Sequence, residues 1–125
     1  LKFIEPADTH KEGGLAEIPF TDNFSVRLVH GHTNSMMLPQ LNYKGRTIVY
    51  MADLLPSAAH LPIPYVMAYD MFPLTTLQEK KSFLTEAVEN KYLLYFEHDP
   101  TMELAELVQT EKGVRAGETL NLKEL

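Results

Sequence analysis

Thr47-Ile48-Val49-Tyr50-Met51-Ala52-Asp53 is a β-branched and apolar run closed by a carboxylate. A strand with no polar alternation is covered on both faces, which places this one centrally in a sheet and Asp53 where the strand stops. Just upstream, Lys44-Gly45 separates 36–43 from 46–52. Glycine supplies the positive φ of a tight turn, so the two segments read as a hairpin. Downstream, 92–96 is a second uninterrupted apolar run, ending at Glu97-His98. Between the two runs, Thr76-Leu77-Gln78-Glu79 has the form of a capping box. Leu77, Leu84, Ala87 and Val88 then recur at helical spacing while Lys80-Lys81, Glu86 and Glu89 face outward. The pattern predicts a helix over 76–90, and a helix leading into a buried strand is the rhythm of an α/β sheet.

Further out, Phe24, Val26 and Leu28 alternate with Ser25 and Arg27, the signature of a half-buried strand, with 30–34 as the loop at its exit. Residues 1–23 read as loop with strand fragments, Phe3-Ile4 among them, broken by the turn formers Pro6, Gly13-Gly14 and Thr21-Asp22-Asn23. Four prolines, at 56, 62, 64 and 73, make 54–73 an ordered irregular segment with one short helix. Around Glu111-Lys112-Gly113, 104–109 and 114–122 make a terminal hairpin, the alternative being a helix begun at 102–108.

At 125 residues the chain is one domain, and its 45% hydrophobic content is that of a globular protein. No apolar run approaches the roughly 18 residues that cross a bilayer, so no membrane partner is expected. A net charge of -6 without a basic cluster excludes nucleic acid, whose affinity comes from basic side chains displacing counterions. With no cysteine there are no disulfides, thiolate nucleophiles or thiolate zinc sites, which leaves His, Asp and Glu as strong ligands. Without a secretion signal in these residues the expected compartment is the cytoplasm, and a start at Leu1 sets the expectation of a longer protein.

The chemistry concentrates at strand ends. His30-Gly31-His32-Thr33 follows one predicted strand, Asp53 a second and His98-Asp99-Pro100 a third. Imidazole and carboxylate together suit zinc and related divalent ions, and α/β proteins gather their sites along one sheet edge. His32, Asp53 and His98 are therefore the candidate ligands, with Asp53 also the candidate catalytic residue. His30 either joins His32 on one ion or hydrogen-bonds behind it. Asp99 caps the turn into Pro100. His10 and His60 read as structural histidines outside the site.

These motifs resemble the C-terminal half of the metallo-β-lactamase-fold hydrolases. Gly31-His32-Thr33 is similar to the family's Gly-His-Thr, Tyr50-Met51-Ala52-Asp53 to its bridging aspartate, where Gly-Asp is the commoner pair, and Phe96-Glu97-His98-Asp99 to its final histidine. The family's first-half motif, His-x-His-x-Asp-His, is absent from these residues.

The resemblance implies an α/β fold, α+β by some schemes. It would be the C-terminal half of an αββα sandwich, a mixed sheet with flanking helices, and residues 1–125 would form a single partial domain. It implies two Zn²⁺ ions in the complete domain, with Mn²⁺ or Fe²⁺ as alternatives. His32 would join first-half histidines on one ion, Asp53 would bridge both and His98 would complete the second. The implied chemistry is hydrolysis of an ester, lactone or thioester in a small-molecule substrate by a metal-bound hydroxide. Tyr65 and Tyr69 are expected at the substrate pocket. With so few donors the isolated chain is expected to be inactive. Its partner would be the missing N-terminal half; the alternatives are a non-catalytic half-domain that pairs with another chain or with itself, and a minor metal-binding domain built on His30, His32 and His98.

Overall fold

The computed structural model describes residues 3, 4 and 15–125. Pro6, His10 and Gly13-Gly14 lie outside the described residues. Seven strands, β1 (Glu17–Thr21), β2 (Phe24–Val29), β3 (Met36–Tyr43), β4 (Arg46–Tyr50), β5 (Leu93–Tyr95), β6 (Leu104–Thr110) and β7 (Gly113–Leu120), form one sheet in sequential order. All neighbours are antiparallel except β4 and β5, which run parallel because helix α1 (Pro73–Glu89) carries the chain back between them. The sheet is mixed, and with one α-helix among the described residues the architecture is α+β.

This order decides where the ligand candidates meet. β2 is antiparallel to β3 and β3 to β4, so β2, β4 and β5 all point the same way. Their C-terminal ends, which lead into His32, Asp53 and His98, emerge along one rim.

The hairpin over Lys44-Gly45 forms as expected, with φ of 47° and 76° at its two central residues, the left-handed pair that a two-residue hairpin turn favours. The terminal hairpin β6–β7 forms too, with Gly113 at φ 94°. β1 replaces loop in the expected irregular stretch, and Phe3-Ile4 makes no strand.

Three further expectations are corrected, the first being Lys80, which does not face outward but is fully buried with its ammonium among the carbonyls of 60–65. β2 is not half-buried: Arg27 is 1% exposed, and Phe24 is its most open residue. Arg27 is covered because its guanidinium grips the Glu86 carboxylate of α1 with two hydrogen bonds, at 2.6 and 3.0 Å, while Nε donates to Gln40. The helix begins at Pro73, not Thr76. Proline fits the first helical position, where an N–H has no partner anyway, and Phe72 stands at the cap. Thr76 lies inside the helix with its hydroxyl donating to Asp70, and Glu79 is drawn away to the backbone N–H groups of His30 and Gly31. At the other end Asn90 closes the helix as expected, with Lys91 at φ 54° and the N–H groups of Lys91 and Tyr92 returning to the carbonyls of Val88 and Ala87.

The core lies between α1 and one face of the sheet, with Phe83, Leu84 and Ala87 of the helix against Val29, Leu38, Val49, Leu94 and Ala105. The other face carries Phe24, Pro39, Leu41, Ile48, Tyr50 and Tyr95, which with Leu122 line a shallow apolar groove. Among the described residues, no helix is long and apolar enough to cross a membrane.

Candidate metal centre

The rim brings the three candidate ligands together. Asp53 is the middle residue of a short 3-10 turn (Ala52–Leu54) after β4, and its two carboxylate oxygens face different imidazoles: Oδ2 lies 3.3 Å from His32 Nε2 and Oδ1 lies 3.5 Å from His98 Nε2. A carboxylate set between two imidazoles is the geometry a bridging ligand requires.

Backbone strain helps aim it. Ala52 has φ 42°, a left-handed conformation that a Cβ makes costly and that glycine takes freely. Met51 meanwhile keeps the chain in the sheet by donating its N–H to Tyr95. The position just before the aspartate is thus one where glycine fits best, and this chain carries alanine there.

His32 is fixed from behind. Its Nδ1 lies 2.9 Å from Asp70 Oδ1, and the other Asp70 oxygen accepts the Thr76 hydroxyl at 2.7 Å. With Nδ1 held by that buried carboxylate, Nε2 is the nitrogen left to face Asp53. An imidazole nitrogen and a carboxylate oxygen facing each other here are donors of the type a divalent ion takes, so the set fits one. The loop carrying His32 is pinned by Glu79, which accepts from the N–H groups of His30 at 2.7 Å and Gly31 at 3.1 Å. Phe72 and Met71 donate their N–H groups to the carbonyls of Gly31 and His32. Gly31 is packed so closely that a Cβ there would sit 2.1 Å from Thr76 Oγ1.

His98 is more open, at 59% side-chain exposure, and its N–H is tied to the Pro56 carbonyl at 2.9 Å. Asp99 caps, as expected, through the N–H groups of Ala58, Thr101 and Met102.

His30 does not reach this centre; its Nδ1 bonds within its own loop, to Asn34 and the Ser35 N–H. Of the two tyrosines expected at a pocket, Tyr69 lines a cleft beside His98, whereas Tyr65 is not among its lining residues.

Two residues of the centre, Asp70 and Glu97, escaped the sequence reading. Asp70 sits in the proline-rich stretch with no motif around it. Glu97 offers an oxygen that lies, with donors of Asp53 and His98, inside a 4.8 Å cluster. Burial, with a hydrogen bond and charge from Glu97, pushes the Tyr50 hydroxyl up to about 12. His60, set aside as structural, lines the same cleft as His98.

No family model matches the sequence, and no curated protein matches it. Solved structures do. A probable metal-dependent hydrolase from Staphylococcus aureus superposes with a TM-score of 0.73 at 20% identity, over 87% of this chain and 39% of that one. AidC, a dizinc quorum-quenching lactonase, gives 0.69 at 20% identity over 82% and 36%. The hydrolase AbOPH, of the β-lactamase superfamily, gives 0.68 at 19% identity over 78% and 35%. The chain thus spans under two-fifths of the length of these structures. The likeness fixes the architecture: the chain has the fold of a portion of the metallo-β-lactamase fold, consistent with its C-terminal half.

Proposed function

We propose that this chain is the C-terminal half of a metal-dependent hydrolase in which His32, Asp53 and His98, with ligands from the N-terminal half, would hold two divalent ions, zinc foremost, with Mn²⁺ or Fe²⁺ as alternatives, Asp53 being the ligand that both would share. The observation that carries this reading is the Asp53 carboxylate, one oxygen turned to each imidazole at 3.3 and 3.5 Å. Neighbours of the same fold are a dizinc lactonase and a probable metal-dependent hydrolase, which favours a small-molecule ester, lactone or thioester as substrate.

When bound, the ions supply Lewis acidity and a water of lowered pKa. The chain's own residues do the rest. Asp70 orients His32, Glu79 and Gly31 hold its loop against the helix, and Asp53 and His98 emerge from adjacent parallel strands whose pairing fixes their separation. No side-chain nucleophile is required, which suits a cysteine-free chain.

The apolar outer face supports the partial-domain reading. Phe24 and Leu41 stand 36% and 38% exposed beside Tyr50 and Tyr95, on the side of the sheet opposite α1, and the N-terminal half of the sandwich is the proposed cover. The same face favours the second reading, a non-catalytic half-domain that pairs with itself; light scattering of the isolated chain separates the two, a discrete homodimer favouring self-pairing.

The deciding experiment uses the full-length protein. Hydrolysis of aryl esters and lactones is expected to disappear on chelation and return with Zn²⁺ or Mn²⁺, and Asp53→Ala is expected to lower kcat/KM by at least about a thousandfold. Activity indifferent to both treatments sinks the reading.

A further inference from the structure

A cleft of about 490 Å³, within the size range of small-molecule sites, opens beside the candidate centre with His98 as part of its wall. The loop that builds it is coupled to His98 by the bond from the His98 N–H to the Pro56 carbonyl. Pro56, Val66, Met67, Ala68 and Tyr69 supply apolar wall, and Ser57 and His60 the polar part.

His60 is held for a purpose its fold role does not use. Ser57 Oγ lies 2.9 Å from Nδ1, which fixes the ring, while Nε2 has no hydrogen-bond partner among the described residues. No buried side-chain nitrogen or oxygen there lacks a partner, so Nε2 is open to solvent rather than sealed in. The backbone behind it is rigid: the Lys80 ammonium donates to the carbonyls of His60, Pro62, Ile63 and Tyr65 at 2.5–3.3 Å. That lysine is spent on the loop, and the lining contains no Lys or Arg. Burial, with the charge of Lys80, lowers the His60 pKa against the opposing charge of Asp70, which favours the uncharged ring. The cleft therefore offers a largely apolar wall and one hydrogen-bonding imidazole edge, with no lysine or arginine in its lining to balance an anion on the acyl side.

We propose that this cleft binds the acyl portion of an uncharged substrate and that His60, steadied by Ser57, is a specificity-determining residue whose Nε2 hydrogen-bonds that portion. The inference rests on the hydrolase reading for its meaning, but its test does not. The probes are N-butylhexanamide and its analogue with a terminal carboxylate on the acyl chain, titrated into the full-length protein and followed by the ¹⁵N resonances of the histidine rings. The expected result is a shift at His60 Nε2 with the amide, and binding of the carboxylate analogue at least tenfold weaker. His60→Phe should weaken the amide at least fivefold, His60→Gln should hold it within twofold, and His60→Lys should improve the carboxylate analogue relative to the amide by tenfold or more. An amide that leaves His60 Nε2 unmoved, fails to bind, or binds no better than the charged analogue overturns the proposal. Chelation and Asp53→Ala judge the hydrolase reading separately: binding at His60 without metal-dependent turnover keeps the cleft and loses the enzyme, and turnover without such binding does the reverse.

Discussion

Asp70 Oδ1 lies 2.9 Å from His32 Nδ1, and the Asp70 side chain is 1% exposed. A carboxylate that far from water, accepting from an imidazole on one oxygen and a hydroxyl on the other, fixes both the tautomer and the orientation of the ring. Asp70→Asn replaces an acceptor by an amide that can turn its NH₂ towards Nδ1. Metal affinity of the full-length protein, measured by competition with a chromogenic chelator, is expected to fall about 10- to 100-fold. Thr76→Val, which removes only the second bond to Asp70, should have the smaller effect.

Ala52 holds a left-handed φ of 42° directly before Asp53. Relieving it by Ala52→Gly removes about 1–2 kcal/mol of strain and gives back part of that through the freer unfolded chain, for a net stabilisation of about 0.5 kcal/mol. Urea unfolding should show a higher midpoint at unchanged slope. A lower midpoint would mean that the Ala52 methyl contributes more by packing than its backbone costs.

Gly31 allows the His-Gly-His loop to lie on the first turn of α1. A Cβ there would sit 2.4 Å from the Thr76 backbone nitrogen, which no side-chain rotation relieves. Gly31→Ala is expected to cost about 3 kcal/mol or more, the scale of overpacking in a tight core, and to displace His32 with the loop. The contrast is Gly117→Ala, where the clash at 2.8 Å is with the Val108 side chain and the cost should be smaller. Thermal unfolding of both variants checks the order.

Lys80 is fully buried with four carbonyls around its ammonium. Lys80→Met leaves those oxygens without a donor and is expected to destabilise by about 3 kcal/mol, while Lys80→Arg, with a planar fork in place of a point charge, should not rescue it. Burial draws the lysine from 10.5 down to about 8, opposed by the charge of Asp70. The folded protein then holds this proton less tightly than the unfolded chain, so unfolding takes up a proton between pH 8 and 10.5. Relative to Lys80→Met, stability should rise with pH across that window, and a ¹⁵N titration of Lys80 should show its midpoint near 8.

Much of the sheet was legible because its signals are local. The apolar run at 47–52, the Lys44-Gly45 turn and the run at 92–96 each carry their own period and punctuation. The placing of the three candidate ligands on one rim was legible for the same reason, since each follows a strand by three residues. What stayed hidden depends on partners distant in sequence. Arg27 alternates like a solvent-facing residue, and only Glu86, brought over by α1, makes its side of β2 an interior. Thr76 and Glu79 have the spacing of a capping box, yet each finds a better partner in another segment, Asp70 for the hydroxyl and the loop amides for the carboxylate. Asp70 and His60 belong to no motif, and the proline-rich loop alone brings Asp70 to the centre and His60 to the cleft beside it.

Helix α1 reaches four separate segments from one side of its length. Thr76 touches Asp70, Glu79 the His30–Gly31 amides, Lys80 the 60–65 loop and Glu86 the guanidinium of β2. Turning the helix by a single residue, about 100° about its axis, would break all four grips at once. The helix therefore has no partial seating, and the amide protons of His30 and Gly31 should exchange with solvent no faster than those in the middle of the helix. Disassembly of the ligand loop and loss of the helix are then one cooperative event.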